Sequence, residues 1–278
     1  MTLNLAQPVR RVIGCSNASR IPVLMYHGIN DITGVTHPYF ETNTSPTIFA
    51  RQMRHLREHG YRTIDLKAAV QMINSGANLQ GVVVITFDDG FRDFYTHAIP
   101  ILQEHQLTAT MFVVSGFIGS ASTRLAAKDF MTWSEVREIE SLGIEIGSHT
   151  VSHSHLNNLH LRDVGRELKG SKQTIEDKLG RPVNSFSYPY AFPEHESIFL
   201  EQLRQCLEST GYEYGVTTVL GGANQTNDRY FLPRIPINEH DDIRLFEAKL
   251  KGEYDWLHLP QSLYKFMRSC YINRTCYK

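Results

Sequence analysis

Apolar runs and amphipathic runs alternate along this chain. IPVLMY (Ile21–Tyr26) is an uncharged run that predicts a buried strand. Ser45 and Pro46 then open a helix: Ser caps, Pro suits the first turn, and Ile48, Phe49, Met53 and Leu56 follow at helical spacing up to Gly60. Tyr61–Ile64 reads as a short strand and Leu66–Ile73 as a helix. VVVITF (Val82–Phe87) is β-branched, continuous and uncharged, the pattern of a strand covered on both faces. A helix over Phe94–His105 and a strand over Thr108–Val114 follow. Thr132 and Glu135 form a capping box for a helix to Leu142, and Ile144–Ile146 is a strand. Leu161–Leu179 is a long helix stopped by Gly180, with a further helix near Ser197–Ser209. Short strands near Val183–Ser187, Gly215–Val219 and Leu232–Ile235 complete the pattern.

Strand and helix thus alternate about seven times, which predicts a parallel sheet with crossover helices. Seven units in this length predict a closed or nearly closed α/β barrel, with an open doubly wound sheet as the alternative. The chain has 278 residues, near the ~250 typical of one such barrel, and no linker or repeat divides it. Domain boundaries are therefore expected at 1–20 (an N-terminal extension), 21–257 (the barrel domain) and 258–278 (a C-terminal tail).

The charge balance, 28 Lys+Arg against 29 Asp+Glu, argues against a nucleic-acid-binding protein. No stretch approaches the ~18–20 apolar residues of a transmembrane helix. No signal-like apolar run follows Arg10 and Arg11, so the chain as written is expected in the cytoplasm, or outside it if a signal was removed. Cys15, Cys206, Cys270 and Cys276 form no CxxC pair and read as ordinary thiols.

In α/β barrels, chemistry gathers where strands end. After Phe87 come Asp88 and Asp89, adjacent carboxylates that need a cation, a proton or solvent to coexist. Their side chains point apart, so one could bind a metal while the other faces a substrate or water. After Ile144–Ile146 come His149 and His153, spaced i, i+4, which on a helix would share a face. His55 and His59 have the same spacing on an amphipathic helix and read as surface residues. Position after a strand separates the two pairs. One carboxylate with two imidazoles and open positions is a catalytic metal ligand set.

TFDDG at Thr86–Gly90 and SHTVSH at Ser148–His153 resemble the first two motifs of the polysaccharide deacetylases, the carbohydrate esterase family 4 or NodB-homology group. PVLMYHGI (Pro22–Ile29), FSYPYAF (Phe186–Phe192) and LPRIPI (Leu232–Ile237) are also similar to that family. The resemblance covers roughly residues 20–250. It implies a distorted (β/α)7-type barrel, a divalent metal (zinc first, cobalt or nickel as alternatives), and hydrolysis of an N-acetyl group from an amino-sugar glycan. It also implies Asp89, His149 and His153 as metal ligands, Asp88 as general base, and the backbone N–H of Tyr190 as an oxyanion donor.

The chain departs from the family pattern in four places. Ser187 stands where many members carry an Arg, and Ala191 replaces a Gly. No fourth motif is found near residues 214–228. Leu232-Pro233-Arg234 replaces Leu-x-His, which removes the usual acid. Arg234 is therefore expected to position the base, and His27 to act as the acid, with His155 a weaker candidate. These departures resemble the exopolysaccharide-associated branch. The alternatives are a deacetylase or deformylase of a lipid- or nucleotide-linked amino sugar, and a catalytically silent carbohydrate-binding protein that keeps the metal. Of the remaining residues, Trp133 is expected to pack, Arg92 and Asp93 to open a helix in solvent, and Tyr254 and Trp256 to anchor the tail.

Overall fold

The computed structural model describes residues 20–31, 41–120, 128–260 and 262–263. Seven parallel strands close a barrel: β1 (Val23–Tyr26), β5 (Val82–Phe87), β6 (Thr110–Val113), β7 (Glu145–Ser148), β8 (Ser185–Ser187), β9 (Tyr214–Leu220) and β10 (Leu232–Pro236). Closure comes from β1, which pairs β5 on one side (Tyr26 opposite Phe87) and β10 on the other (Leu24 opposite Ile235). The short β4 (Arg62–Thr63) pairs only with the first residues of β5, and a separate parallel pair joins β2 (Gly28–Ile29) to β3 (Asn43–Thr44). The barrel expectation holds and the open sheet does not.

Around it run α1 (Pro46–Glu58), α2 (Leu66–Ser75), α3 (Ile99–Glu104), α4 (Trp133–Ser141), α5 (Leu161–Leu179), α6 (Ser197–Thr210) and α7 (Ile243–Leu250). Their ends follow local chemistry. Ser45 Oγ accepts the Ile48 N–H, Thr132 and Glu135 complete the capping box, and α5 ends with Gly180 in the left-handed region. The helix expected over Phe94–His105 starts instead as a π-type turn at Phe94–Ala98. Pro100 has no N–H to return to Thr96, and the widened turn absorbs the missing bond. Helix α7 was not anticipated; Asp242 caps it, and Phe246 and Leu250 face the core.

One apolar core lies between barrel and helices, including Leu24, Phe49, Phe87, Phe94, Val136, Leu168 and Phe246. A second cluster, with Val23, Val84, Phe112 and Val216, fills the barrel interior and its floor. Trp133 and the part-buried thiol of Cys206 pack against the first core, as expected of bland residues. His55 does not fit the surface expectation: it is buried, stacked on His59 at 3.9 Å and edge-on to Phe246, because α7 covers that face of α1. Tyr254 is buried and Trp256 half-buried, beside the last described helical turns. Cys15, Cys270, Cys276 and most of the proposed terminal extension and tail lie outside the described residues. Among the described residues, no helix is long and apolar enough to cross a membrane.

Candidate metal and catalytic centre

The carboxyl ends of β1, β5, β7, β8 and β10 bring His27, Asp88, Asp89, His149, His153, Ser187 and Arg234 to one end of the barrel. Asp88 and Asp89 do point apart. Asp88 turns to the barrel interior, where the fully buried Arg234 of β10 grips it with both arms: Nη1 to Oδ1 at 2.8 Å and Nη2 to Oδ2 at 2.7 Å. Arg234 is itself fixed by Nε donating to the Thr217 carbonyl, Nη1 to Thr86 and Nη2 to Ser187 Oγ. Ser187 Oγ donates to Asp88 Oδ1 at 3.2 Å. Oδ1 is thus doubly engaged, while Oδ2 accepts one bond and keeps an acceptor direction open. Burial pushes the Asp88 carboxyl up, but Arg234 and the neighbouring His149 outweigh it and hold the group well below the usual carboxylate range.

Asp89 faces the other way. Its Oδ1 lies 3.5 Å from His149 Nε2 and 3.3 Å from His153 Nε2, and the three donor atoms fall within 4.8 Å of one another. His149 Nδ1 lies 2.8 Å from the Ser187 carbonyl, which can only accept, so the ring proton is on Nδ1 and Nε2 presents a lone pair. Burial pushes the His149 pKa down to about 4, so the ring is neutral near pH 7. A neutral imidazole lone pair then confronts a carboxylate oxygen that is buried without a hydrogen-bond partner among the described residues. The His149 lone pair and the Asp89 oxygen repel each other, and a cation between the donors would relieve that repulsion. One oxygen and two imidazole nitrogens suit zinc, cobalt or nickel. The residues therefore fit a divalent metal.

The i, i+4 helix argument for His149 and His153 is corrected: they stand on a looped segment. Thr150 and His153 adopt positive φ (68° and 54°), and the His153 N–H is tied to Thr150 Oγ1. Glu167 of α5 pins the turn by accepting the N–H groups of Val151 and Ser152. The loop also docks on its neighbour, with the Ser115 and Gly116 N–H groups donating to the carbonyls of Thr150 and Val151. Asp89 (78°) and Tyr190 (60°) share the left-handed region, so four of the five described non-glycine residues with positive φ surround this centre. Each costs about 1–3 kcal/mol, which only a well-anchored surrounding sustains.

His27 follows β1 directly, is half-buried, and lies close enough to Asp88 and Asp89 to interact with both. Tyr190 is 40% exposed, with its ring 4.5 Å from that of His153 and its carbonyl held by Thr218. His155 stacks on the same ring. Lys128 was missed by sequence reasoning, and Asp93 was expected to open a helix in solvent. Asp93 is not in solvent: it accepts from Asn30 and pairs with Lys128 at 3.7 Å, and that ammonium also donates to Asn43. Burial lowers the Lys128 pKa despite Asp93. No local spacing signals a pair whose members are 35 residues apart. Arg92 does lie outside, bridged to Glu135 at 2.8 Å.

A family model described as polysaccharide deacetylase matches residues 75–215, the stretch that carries Asp88, Asp89, His149, His153 and Tyr190 but neither His27 nor Arg234. YxkH of Bacillus subtilis, which bears the polysaccharide deacetylase name, is 30% identical over 221 residues, 79% of this chain and 72% of YxkH. A poly-beta-1,6-N-acetyl-D-glucosamine N-deacetylase of Staphylococcus aureus is 23% identical over 209 residues, 71% of this chain and 68% of that protein. Among solved structures, the deacetylase PplD of Streptococcus pyogenes superposes with a TM-score of 0.74 at 24% identity, over 84% of this chain and 99% of PplD. IcaB of Ammonifex degensii does so with a TM-score of 0.67 at 22% identity, over 84% and 97%. At those identities the superpositions establish the fold alone. With half of the sequence under the family model and a 30% identical relative aligned across most of both chains, this chain belongs to the polysaccharide deacetylase family.

Proposed function

We propose that the chain is a metal-dependent N-deacetylase that hydrolyses the acetamide of an N-acetylhexosamine in a polysaccharide or oligosaccharide, releasing acetate and leaving an amine. The observation that carries this reading is the juxtaposition of a clamped carboxylate, Asp88, with the triad formed by the adjacent Asp89 and by His149 and His153 of the loop after β7. The name of the Staphylococcus aureus relative supports a β-linked N-acetylglucosamine polymer as the first substrate to try.

Asp89 Oδ1, His149 Nε2 and His153 Nε2 would hold the cation. Bound there, a divalent metal polarises the carbonyl and acidifies the attacking water. The open face of Asp88 Oδ2 takes the proton of that water as its oxygen adds to the acetamide carbon. Arg234 and Ser187 keep the carboxylate ionised and aimed. The Tyr190 N–H donates to the carbonyl oxygen as negative charge develops there. The C–N bond breaks only if the nitrogen is protonated, because an amide anion is a very poor leaving group; His27, which follows β1 at the same end of the barrel, is the donor we assign.

A silent carbohydrate-binding protein has no use for a carboxylate held ionised against full burial, and this disfavours that alternative. The test is acetate release from N-acetylglucosamine oligomers by zinc-loaded protein. Asp88→Asn should lower the rate about 10²–10⁴-fold, the usual worth of a general base, with metal content unchanged. Full activity in Asp88→Asn would overturn the base assignment, and an unchanged rate in His27→Ala would move the acid elsewhere.

A further inference from the structure

We infer that His155 is a positioning residue that holds Tyr190 in the backbone conformation needed for its N–H to face the reacting carbonyl. This rests on the deacetylase reading for its kinetic consequence, but the conformational claim stands apart from it. Tyr190 has φ 60°, a region that a bulky L-residue enters only when its surroundings impose it. Three contacts do so. Thr218 Oγ1 donates to the Tyr190 carbonyl at 3.0 Å and accepts the Phe192 N–H at 2.9 Å, fixing the chain after the residue. His153 covers one side of the ring, tilted by 54° at 4.5 Å. His155 lies parallel to the ring, 10° between planes and 3.6 Å between centroids, so it covers a whole ring face.

One face of the Tyr190 ring is thus closed by His155, with His153 tilted against the ring as well, and both contacts hold the ring in place. His155 is in turn fixed from below: the next residue, Leu156, is fully buried, and the Asn158 N–H closes a tight turn on the His155 carbonyl at 3.0 Å. A rigid path therefore runs from the buried Leu156 through the His155 ring to the Tyr190 ring and its backbone. Tyr190 N–H makes no hydrogen bond among the described residues, which leaves it available.

The experiment compares His155→Ala with His155→Phe, which keeps a flat ring and loses the imidazole. Crystal structures of both zinc-loaded variants should show Tyr190 leaving the left-handed region in His155→Ala and keeping it in His155→Phe. With an N-acetylglucosamine oligomer, kcat should fall about 10-fold or more in His155→Ala, up to the ~10²–10³-fold worth of an oxyanion donor, with KM changed less than about two-fold. His155→Phe should recover kcat to within about three-fold. Tyr190 unmoved in His155→Ala overturns the inference, and so does a His155→Phe variant as slow as His155→Ala. If the parent releases no acetate, the deacetylase reading fails and the Tyr190 conformation in the two structures alone decides this one.

Discussion

Arg234→Met tests the central electrostatic claim. The substitution keeps an unbranched buried chain but removes the fork that satisfies Asp88, whose remaining partner is the Ser187 hydroxyl at 3.2 Å. Breaking one partner out of a fully buried ion pair costs about 3–5 kcal/mol, because the other charge stays behind unpaired. At about 2–4 °C per kcal/mol for a chain of this size, the melting temperature should fall by about 6–20 °C at pH 7. The sign with pH follows from Asp88. In the parent its folded value is held below the unfolded ~3.9, so its contribution is present above that pH and is lost only as pH falls below it. In Arg234→Met the largest opposing influence on the burial of Asp88 is gone, leaving only His149, His27 and the Ser187 hydroxyl against it, so the folded value rises and stability is lost as pH rises through the lifted value. The deficit of the variant should therefore be widest near pH 7 and narrow toward pH 5.

Urea unfolding of metal-free protein is the assay, since bound metal would add its own linkage. The double variant Asp88→Asn/Arg234→Met leaves no charge to strand and should regain more than half of the loss. A deficit below about 1 kcal/mol at pH 7 would reduce the pair to the worth of a surface contact and refute the reasoning. Equal deficits at pH 7 and pH 5 would do the same.

Three further outcomes are expected. Removal of metal by a chelator should abolish acetate release, with recovery on adding zinc, cobalt or nickel; His149→Ala should weaken metal binding in a direct titration, and undiminished affinity would remove His149 from the ligand set. Gly116→Ala places a Cβ 2.5 Å from the Val151 carbonyl, in the loop that carries both histidines, so metal affinity should drop about 10–100-fold; an unchanged Kd would show that the loop yields freely. Glu145 sits at the opposite end of the barrel, accepting from the Leu66 N–H, Thr110 and Tyr214, and burial raises its pKa. Its folded value exceeds the unfolded ~4.3, so stability is lost as pH rises through the folded value. Glu145→Gln should then match or exceed the parent at pH 7 and lose that advantage near pH 4, and a variant melting several degrees lower at pH 7 would contradict this.

What could be read from the chain alone was what neighbouring residues decide. Ser45, Thr132 and Gly180 mark helix ends because their partners lie within four residues, and Val82–Phe87 declares a buried strand by its own composition. The Asp88–Asp89 pair was legible as chemistry for the same reason: two adjacent carboxylates after such a strand need an explanation. The contacts that orient the centre have no such local trace. Arg234 reaches Asp88 across 146 residues, and only barrel closure, with β10 against β1 and β1 against β5, brings the two together. The family likeness pointed to Arg234 through the absence of an Arg at position 187, and the structure shows why a Ser fits there: Ser187 bonds both partners where an Arg would compete for the space.

The one argument from spacing that failed did so for an instructive reason. His149 and His153 converge without a helix, because positive φ at Thr150 and His153 folds the segment back on itself, and Glu167 and the 115–116 loop hold it there. Non-glycine residues do not advertise left-handed backbone, so the strain around this centre was invisible until the chain was closed. That strain is distributed over Asp89, Thr150, His153 and Tyr190, at three strand ends. A fold that stabilises four such residues at one end of the barrel must anchor each from outside the centre. The residues that do this, Glu167, Thr218, Leu156 and His155 among them, should therefore affect the chemistry more than their distance from Asp88 would suggest.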